Sequence, residues 1–338
     1  MQTMNRREFM KYSGAALAWL ALRRPDLPED EPAFEPPPAS LGRIATWWRQ
    51  AVRREPSQQA EWVAWKTRDE VIPLYAAVEG EAPWPGNPIW YQTNGGFIHS
   101  GYVQLVENTP SSEVITGVAE PGFWTEVCVP IAEARWRPTS LYVGRKLYYG
   151  TVYRVVGATM DEEGNWWYQL KEGITYAPGP YVPAWSVRRI PPEEVVPIST
   201  GRTDKWIEIN IDAQTLTCFE GERAVFNTRI ASGLPGTATP RGEYRVLYKR
   251  YTSRMIGGSE DDRYDLPGVA FPVYFTWSAI AIHGTYWHND FVRRHSHGCI
   301  NVTNEAAKWV FRWADPVITY DVPKVSAARD AGTRVVVI

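Results

Sequence analysis

Short runs of alternating apolar and polar residues recur along most of this sequence and restrict its fold more than any other feature. Alternation with period two, rich in β-branched and aromatic residues, is typical of β-strands. The clearest runs are VIPLYAAV (71–78), IWYQ (89–92), GFIHSGYVQLV (96–106), TVYRVV (151–156) and WWYQL (166–170). Between them stand clusters of Gly, Pro, Asn and Asp, and DEEGN at 161–165 has the composition of a hairpin turn. The chain is therefore predicted to be mainly β.

Length and charge limit the number of domains and the kinds of partner. A chain of 338 residues is too long for one core of usual size, so two or three domains are expected. A formal net charge of −2 provides no electrostatic reason to bind nucleic acid or an anionic membrane surface. The 17 tryptophans suit burial in small β-domains better than exposed contacts with sugars or peptides.

The region between residues 42 and 200 contains a weak repeat. The triplets Trp90-Tyr91-Gln92 and Trp167-Tyr168-Gln169 each follow one apolar strand and precede a strand that starts at glycine. These halves resemble two bacterial SH3-like barrels, at 42–108 and 122–192. The resemblance implies accessory modules that bind glycan or peptide, and tandem spacers with buried aromatics are the alternative. His99 is expected to be a packed or surface residue, not a ligand.

The N-terminus resembles a twin-arginine export signal over residues 1–24. Arg6 and Arg7 precede an apolar run, 12–22, that is far shorter than the ~20 residues needed to cross a bilayer. An amphipathic helix with two surface arginines is the alternative. The resemblance implies a protein of the cell envelope, periplasm or cell wall, anchored there if the signal is not cleaved. The Pro-rich and acidic stretch 25–41 reads as an extended linker.

The pattern of apolar and polar residues changes at Lys205, and residues 204–338 are predicted to form a β-sandwich with one main helix. Three alternating strands start the region, and further strands are expected at 270–276 and 278–283. The segment TNEAAKWVFRWAD has helical periodicity, with Thr303 or Asn304 as N-cap and an end at Pro316. The final TRVVVI is a closing strand.

A stretch before this helix, HGTYWHNDFVRRHSHGCIN at 283–301, contains four of the five histidines and one of three cysteines. A nearby imidazole or helix N-terminus would lower the pKa of the Cys299 thiol toward reactivity. Gly298 allows backbone and substrate to approach closely. His283, at the end of a strand, could act as the base across the loop. Cys128 and Cys218 are expected to be buried apolar residues.

Two ordered motifs in this stretch resemble the L,D-transpeptidase catalytic-domain family. They are Ile282-His283-Gly284-Thr285 and Ser296-His297-Gly298-Cys299-Ile300-Asn301, and the segments 232–244 and 266–276 resemble the family's upstream loop and substrate side. The resemblance implies Cys299 as nucleophile and His283 as base. It also implies that Ser296, His297, Gly298 and Asn301 shape the site, while Tyr274 and Trp287 are candidate substrate contacts with a core role as the alternative. Residues 291–295 depart from the Gly and Pro that many relatives carry there.

By this resemblance the reaction is acyl transfer on peptidoglycan stem peptides, through a cysteine thioester that yields 3→3 crosslinks, without cofactor or metal and in a monomer. Hydrolysis of the same thioester would make the protein an L,D-carboxypeptidase. A non-catalytic wall-binding protein is a further alternative. A zinc site is another, because His283, His288, His295, His297 and Cys299 supply donors, but no tight CxxC or HExxH frame accompanies them. His288 and His295 carry no assigned role and are expected to be exposed.

Overall fold

A computed structural model describes residues 40–171, 179–260 and 262–338, and these residues form a mainly β structure with one α-helix. The predicted export signal and most of the predicted linker lie outside the described residues. Within the described part, no helix has both the length and the apolar character needed to cross a membrane. The prediction of a mainly β chain with one main helix is confirmed.

The first module, residues 40–106, folds into two sheets around one apolar core. Its strands are β1 Ser40–Ile44, β2 Gln50–Arg53, β3 Trp62–Lys66, β4 Val71–Leu74, β5 Ala76–Glu79, β6 Ile89–Thr93, β7 Gly96–His99 and β8 Val103–Val106. The sheet orders are β4-β1-β8 and β3-β2-β7-β6-β5. The core side chains, buried on the inner faces of both sheets, are Ile44, Ile72, Leu74, Ile98 and Val103. The first strand begins at Ser40, inside the range predicted as linker.

The second module, residues 123–189, has seven strands, one fewer than the first, and shares the order of its last elements with the first. Its strands are β9 Phe123–Val127, β10 Ile131–Ala134, β11 Arg145–Tyr148, β12 Val152–Met160, β13 Trp166–Lys171, β14 Tyr181–Pro183 and β15 Val187–Arg189. Both triplets lie on strands, β6 and β13, and each is followed by a strand, a single turn of 3-10 helix and a final strand. The predicted hairpin at Asp161–Asn165 is confirmed, because the Asp161 N–H donates to the Asn165 carbonyl at 3.0 Å. The SH3-like character of both modules stays a prediction.

The C-terminal unit, residues 205–337, has two five-stranded sheets, a hairpin and helix α1 Asn304–Trp313. Its strands are β16 Lys205–Asn210, β17 Thr215–Glu220, β18 Arg223–Arg229, β19 Gly242–Arg245, β20 Tyr248–Arg250, β21 Thr252–Gly257, β22 Tyr264–Ala270, β23 Val273–Tyr274, β24 Ala281–Gly284, β25 Ile300–Val302, β26 Lys324–Ser326 and β27 Arg334–Val337. The sheet orders are β18-β17-β16-β27-β19 and β25-β24-β23-β20-β26, and β21 pairs with β22.

Helix α1 forms as the periodicity of its sequence predicts. Thr303 is the N-cap, and its hydroxyl accepts from the Ala306 N–H at 3.2 Å. The predicted apolar face is buried against both sheets, through Ala306, Ala307, Val310, Phe311 and Trp313. The expected continuous strand 270–276 is not present. Phe271 adopts a positive φ of 53° before Pro272, and this break separates β22 from β23.

The modules pack directly onto the C-terminal unit. Trp124 of the second module stacks on Tyr251 with ring centroids 4.4 Å apart, and its indole N–H donates to the Tyr320 carbonyl at 2.8 Å. Trp124 thereby joins the main core of the C-terminal unit. Arg43 of the first module forms a further buried contact and donates to the Tyr286 carbonyl at 2.5 Å. The expectation for Cys128 and Cys218 is confirmed, since both are buried free thiols.

Candidate active site

Two parallel strands place His283 and Cys299 at one edge of the second sheet. Strand β24 pairs with β25 so that His283 lies opposite Asn301. Side chains two residues apart along a strand point to the same face. Cys299 stands two residues before Asn301, so this register directs its side chain toward the face that carries His283. The two residues, sixteen positions apart in the sequence, are thus brought to neighbouring strand ends.

The loop before β25 is held by the Ser296 hydroxyl. Ser296 Oγ donates to the Cys299 carbonyl at 2.5 Å and accepts from the Gly298 N–H at 3.1 Å. Gly298 has a φ of +115°, which favours glycine because it has no Cβ. This turn carries the cysteine into β25 and explains why Ser, Gly and Cys stand at this spacing.

A second loop, residues 231–239, supports the cysteine loop from outside. The Thr239 hydroxyl donates to the Gly298 carbonyl at 2.8 Å, and the Thr237 hydroxyl donates to the Ser296 carbonyl at 3.1 Å. The Ala231 N–H donates to the Asn301 carbonyl at 2.9 Å and the Asn301 N–H returns the bond at 3.0 Å. The Gly, Pro and Thr composition of this segment therefore serves to brace the loop that carries Cys299.

The His283 imidazole is held by a backbone hydrogen bond that leaves Nε2 able to accept a proton. It is buried, with 2% of its surface exposed, and Nδ1 lies 2.9 Å from the Gly284 carbonyl. A carbonyl only accepts, so Nδ1 carries the proton and Nε2 keeps its lone pair. Burial lowers the pKa of His283 to about 4, although the bond to Gly284 opposes the shift. The ring is consequently neutral near pH 7, the state that a proton acceptor requires.

Cys299 is partly exposed to solvent, and the phenol groups of Tyr248, Tyr264 and Tyr274 lie near enough to interact with its charge. Burial of the sulfur atom raises the pKa of Cys299 to about 11, and a hydrogen bond from the Ala281 backbone opposes the rise. The sequence-based expectation of a lowered thiol pKa is therefore not met in this state. The thiol donates weakly to the Ala279 carbonyl at 3.9 Å. Ala279 adopts a positive φ of 65°, a strained conformation of the kind found at functional sites.

The remaining predicted site residues occupy different surroundings. His297 Nε2 lies 2.6 Å from Asp262 Oδ2, so the ring faces the connection between β21 and β22. Tyr274 is buried, and its hydroxyl donates to Ser253 Oγ at 3.0 Å. Trp287 is half-buried, and its ring lies 5.8 Å from the His283 ring. Their substrate contacts stay predictions, although Trp287 flanks the proposed base directly.

Sequence reasoning missed His288. It was expected at the surface, but only 2% of it is exposed, and Nε2 lies 2.8 Å from the Asn301 side-chain amide. His295 is exposed as expected, and its ring stacks on His288 at 4.2 Å. The only signal in the sequence is the spacing of five from His283, which has no meaning until the segment's path is known. No group of three or more His, Cys, Asp or Glu side chains placed to hold a metal ion occurs within the described ranges.

Comparison with known proteins agrees with the motifs. Residues 204–337 match the family model of the L,D-transpeptidase catalytic domain, YkuD. L,D-transpeptidase 1 of Mycobacterium tuberculosis is 30% identical over 110 residues, which cover 30% of this chain and 43% of that protein. The chain thus matches less than half the length of this curated relative.

Solved structures include further L,D-transpeptidases. The catalytic domain of the Enterococcus faecium L,D-transpeptidase is 26% identical and covers 40% of this chain and 97% of that chain, with a TM-score of 0.32. An L,D-transpeptidase from Mycobacterium smegmatis is 19% identical and covers 52% and 90%, respectively, also with a TM-score of 0.32. On the family match and the curated relative, the predicted similarity to the L,D-transpeptidase catalytic-domain family is confirmed for residues 204–337 of this chain.

Proposed function

We propose that this protein is a peptidoglycan L,D-transpeptidase that forms 3→3 crosslinks through a thioester on Cys299. The observation that carries the proposal is the pairing of β24 with β25. It brings a neutral His283, whose Nε2 keeps its lone pair, to the strand end beside Cys299, the partly exposed residue that directly precedes β25. A nucleophile and a base in this relation are the requirement for cysteine acyl transfer.

The proposed reaction begins with two uncharged groups. As Cys299 Sγ attacks the carbonyl of the third stem residue, His283 Nε2 takes the thiol proton. The tetrahedral intermediate collapses, the C–N bond to terminal D-alanine breaks, and the imidazolium gives its proton to the leaving amine. The amine of a neighbouring stem then attacks the thioester, His283 removes its proton, and the thiol is regenerated.

Water can replace the amine in the last step, which would make the protein an L,D-carboxypeptidase. The two outcomes are separated by incubating the protein with a tetrapeptide stem, with and without an acceptor stem. A crosslinked dimer is expected when the acceptor is present. Tripeptide alone under both conditions would favour the carboxypeptidase, and absence of turnover would favour a non-catalytic wall-binding protein.

Intact-mass spectrometry after incubation with a carbapenem tests the nucleophile. We expect one covalent adduct per chain, which is lost in Cys299→Ala and strongly slowed in His283→Gln. Cys128→Ala is the matched control, because it removes a buried thiol of the second module and should keep the adduct. An adduct that persists in Cys299→Ala would exclude this residue as the nucleophile.

The wall itself is the proposed ligand of the modules, as glycan or as peptide. Exposed tryptophans of the first module favour glycan, because an indole face stacks on sugar rings. Trp47, Trp48 and Trp62 are 74%, 80% and 55% exposed, and the Arg68 guanidinium lies 3.4 Å from the Trp47 ring centroid. Co-sedimentation with purified peptidoglycan should weaken in Trp47→Ala/Trp48→Ala. Trp136→Ala, which removes a 58% exposed tryptophan of the second module, is the control and should bind normally.

The site of action in this proposal is the cell envelope. The protein is exported as a folded monomer by the twin-arginine route, on the basis of Arg6, Arg7 and the apolar run that follows. Fractionation of cells that produce the full chain, compared with an Arg6→Lys/Arg7→Lys variant, tests this route. Retention of the variant in the cytoplasm is expected, and unchanged export would contradict the proposal.

A further inference from the structure

The hydrogen bonds of His288 define where its proton lies. Nδ1 of this buried ring accepts from the Asp290 N–H at 3.1 Å, and Nε2 lies 2.8 Å from the side-chain amide of Asn301. A neutral imidazole carries one N–H, and burial lowers the pKa of His288 well below its ordinary value. Because Nδ1 is already an acceptor, the proton is on Nε2.

This proton determines the orientation of the Asn301 amide. Two donors cannot bond to each other, so the amide atom that faces His288 Nε2–H must be the oxygen. The opposite atom of the amide is buried and has no hydrogen-bond partner within the described part of the chain. With this assignment it is the NH2 group, a buried donor without an acceptor. Asn301 is 1% exposed and stands opposite His283 in the strand register.

A buried donor without a partner costs about 1–3 kcal/mol, so a native protein that keeps one often does so for a ligand. Asn301 stands opposite His283 in the strand register, so an acyl donor bound beside His283 would bring its carbonyl oxygens to this side of β25. We infer that His288 is a positioning residue, which holds the Asn301 NH2 group toward the bound acyl donor beside His283. This inference rests on the proposed acyl transfer.

The first module sets the position of His288. Three hydrogen bonds of 3.2 Å or less between this module and the segment 286–290 hold the segment in place. They are the bonds from Arg43 to the Tyr286 carbonyl (2.5 Å), from the Asn289 N–H to the Gly101 carbonyl (3.2 Å) and from the Trp84 indole to Asp290 Oδ1 (2.8 Å). Through them a module outside the catalytic unit orients a side chain within the active site.

The tautomer is tested without reference to activity. Long-range 1H–15N spectra of protein labelled on histidine distinguish an Nε2–H ring from an Nδ1–H ring. We expect His288 as a neutral Nε2–H tautomer and His283 as a neutral Nδ1–H tautomer near pH 7, with assignments from His288→Leu and His283→Gln. An Nδ1–H or charged ring at His288 would overturn the inference, whether or not the protein is an enzyme.

The positioning role is tested by the rate of Cys299 acylation with a carbapenem. We expect His288→Leu and Asn301→Ala each to lower this rate at least tenfold, and the double variant to be no slower than Asn301→Ala alone, since His288 acts through Asn301. A purely structural contribution predicts losses that add. The matched control is His295→Leu, which removes the ring stacked on His288 and a 3.9 Å contact with Asp290 but no hydrogen bond of this network, and should stay within about threefold of wild type.

Trp84→Phe provides a second route if His288→Leu does not fold. It keeps an aromatic ring but removes the N–H that bonds Asp290, together with the second ring of the indole. A fall in acylation of about threefold or more, with a changed His288 signal, supports the inference. An unchanged rate and signal would mean that the module does not orient His288. If wild type itself is not acylated, the proposed function fails, whereas the tautomer experiment still decides the orientation of Asn301.

Discussion

The indole N–H of Trp84 donates to Asp290 Oδ1 at 2.8 Å, although the two residues are separated by 206 positions. Trp84 belongs to the first module, and Asp290 lies seven residues after the proposed base. The Arg293 guanidinium lies over the face of the Trp84 indole, 4.6 Å from the ring centroid. Closure around this contact buries the carboxyl group, so that 5% of the Asp290 side chain is exposed. Burial of this carboxyl group at the contact between the first module and the C-terminal unit therefore has an energetic cost.

This cost predicts that Asp290→Asn stabilises the protein at neutral pH. Burial raises the pKa of Asp290 to about 6, with Arg293 and Trp84 opposing the rise. The folded protein therefore holds this proton more tightly than the unfolded chain, and stability falls as the pH rises from about 4 to about 6. The amide keeps an oxygen for the Trp84 N–H and carries no charge.

We expect the melting temperature of Asp290→Asn to exceed that of wild type at pH 8 and to equal it near pH 4. The lost penalty is up to about 3 kcal/mol, with the opposing effect of Arg293 already included. Scanning fluorimetry at both pH values measures the difference. Asp212→Asn is the control, since that carboxylate is 68% exposed and its removal should change little. A difference independent of pH would contradict the assigned titration.

The protonation states of the proposed catalytic pair, His283 and Cys299, predict that the acylation rate depends on pH mainly at the two ends of a wide range. His283, with a pKa of about 4, loses its function as base only when protonated, so the acylation rate should fall as the pH falls through about 4. Cys299, with a pKa of about 11, stays protonated through neutral pH, and the rate should rise as the pH approaches 11. Acylation measured from pH 3.5 to 10.5 checks both limbs. Asp290→Asn serves as the control for titration near pH 6.

A resting thiolate would be detected directly. The ultraviolet difference spectrum between wild type and Cys299→Ala should show no thiolate absorption at pH 7, and absorption should develop only toward pH 11. Strong thiolate absorption at pH 7 would mean that the pair rests as thiolate and imidazolium.

Ser296→Ala is expected to loosen the turn that carries Cys299. Removal of the hydroxyl leaves the Cys299 carbonyl and the Gly298 N–H without their side-chain partner. We expect a loss of about 1–3 kcal/mol in stability and a fall of tenfold or more in acylation, because the turn that aims the thiol loosens. Ser296→Thr keeps the hydroxyl and should recover part of the rate. Equal rates in Ser296→Ala and wild type would show that the 231–239 loop braces the turn sufficiently.

A large effect on stability is predicted for substitution of the buried Lys249. Its ammonium donates to the Phe311 and Ala314 carbonyls, at 2.7 and 2.6 Å, where helix α1 ends. Lys249→Met leaves these carbonyls without a donor, and we expect a loss of about 2–4 kcal/mol, measured by denaturation in urea. Lys324→Met, which removes an exposed lysine of β26, should change stability by less than about 0.5 kcal/mol.

Burial also lowers the pKa of Lys249 to about 7. The unfolded chain then binds the proton more tightly between about pH 7 and 10, so the contribution of this lysine to stability rises with pH in that range. The stability difference between wild type and Lys249→Met should accordingly increase from pH 7 to pH 9. A constant difference would indicate an ordinary lysine pKa in the folded state.

Local patterns in the sequence determined the secondary structure and the identity of the proposed catalytic pair. Period-two alternation placed the strands, Thr303 placed the start of helix α1, and the motifs around His283 and Cys299 indicated the family because their residues are close in sequence. The interruption at Phe271 was missed, since a positive φ at a phenylalanine is imposed by packing and has no propensity signal.

Only the tertiary structure decided the protonation of the thiol and the role of His288. Whether a thiol is ionised depends on the balance of burial and nearby charge, which strand composition does not contain. Burial of His288 likewise requires the first module to close over residues 286–290, through Arg43, Gly101 and Trp84. Contacts between groups some two hundred residues apart arise from how the units pack. The sequence therefore indicates the proposed reacting groups, while the packing sets their charge and direction.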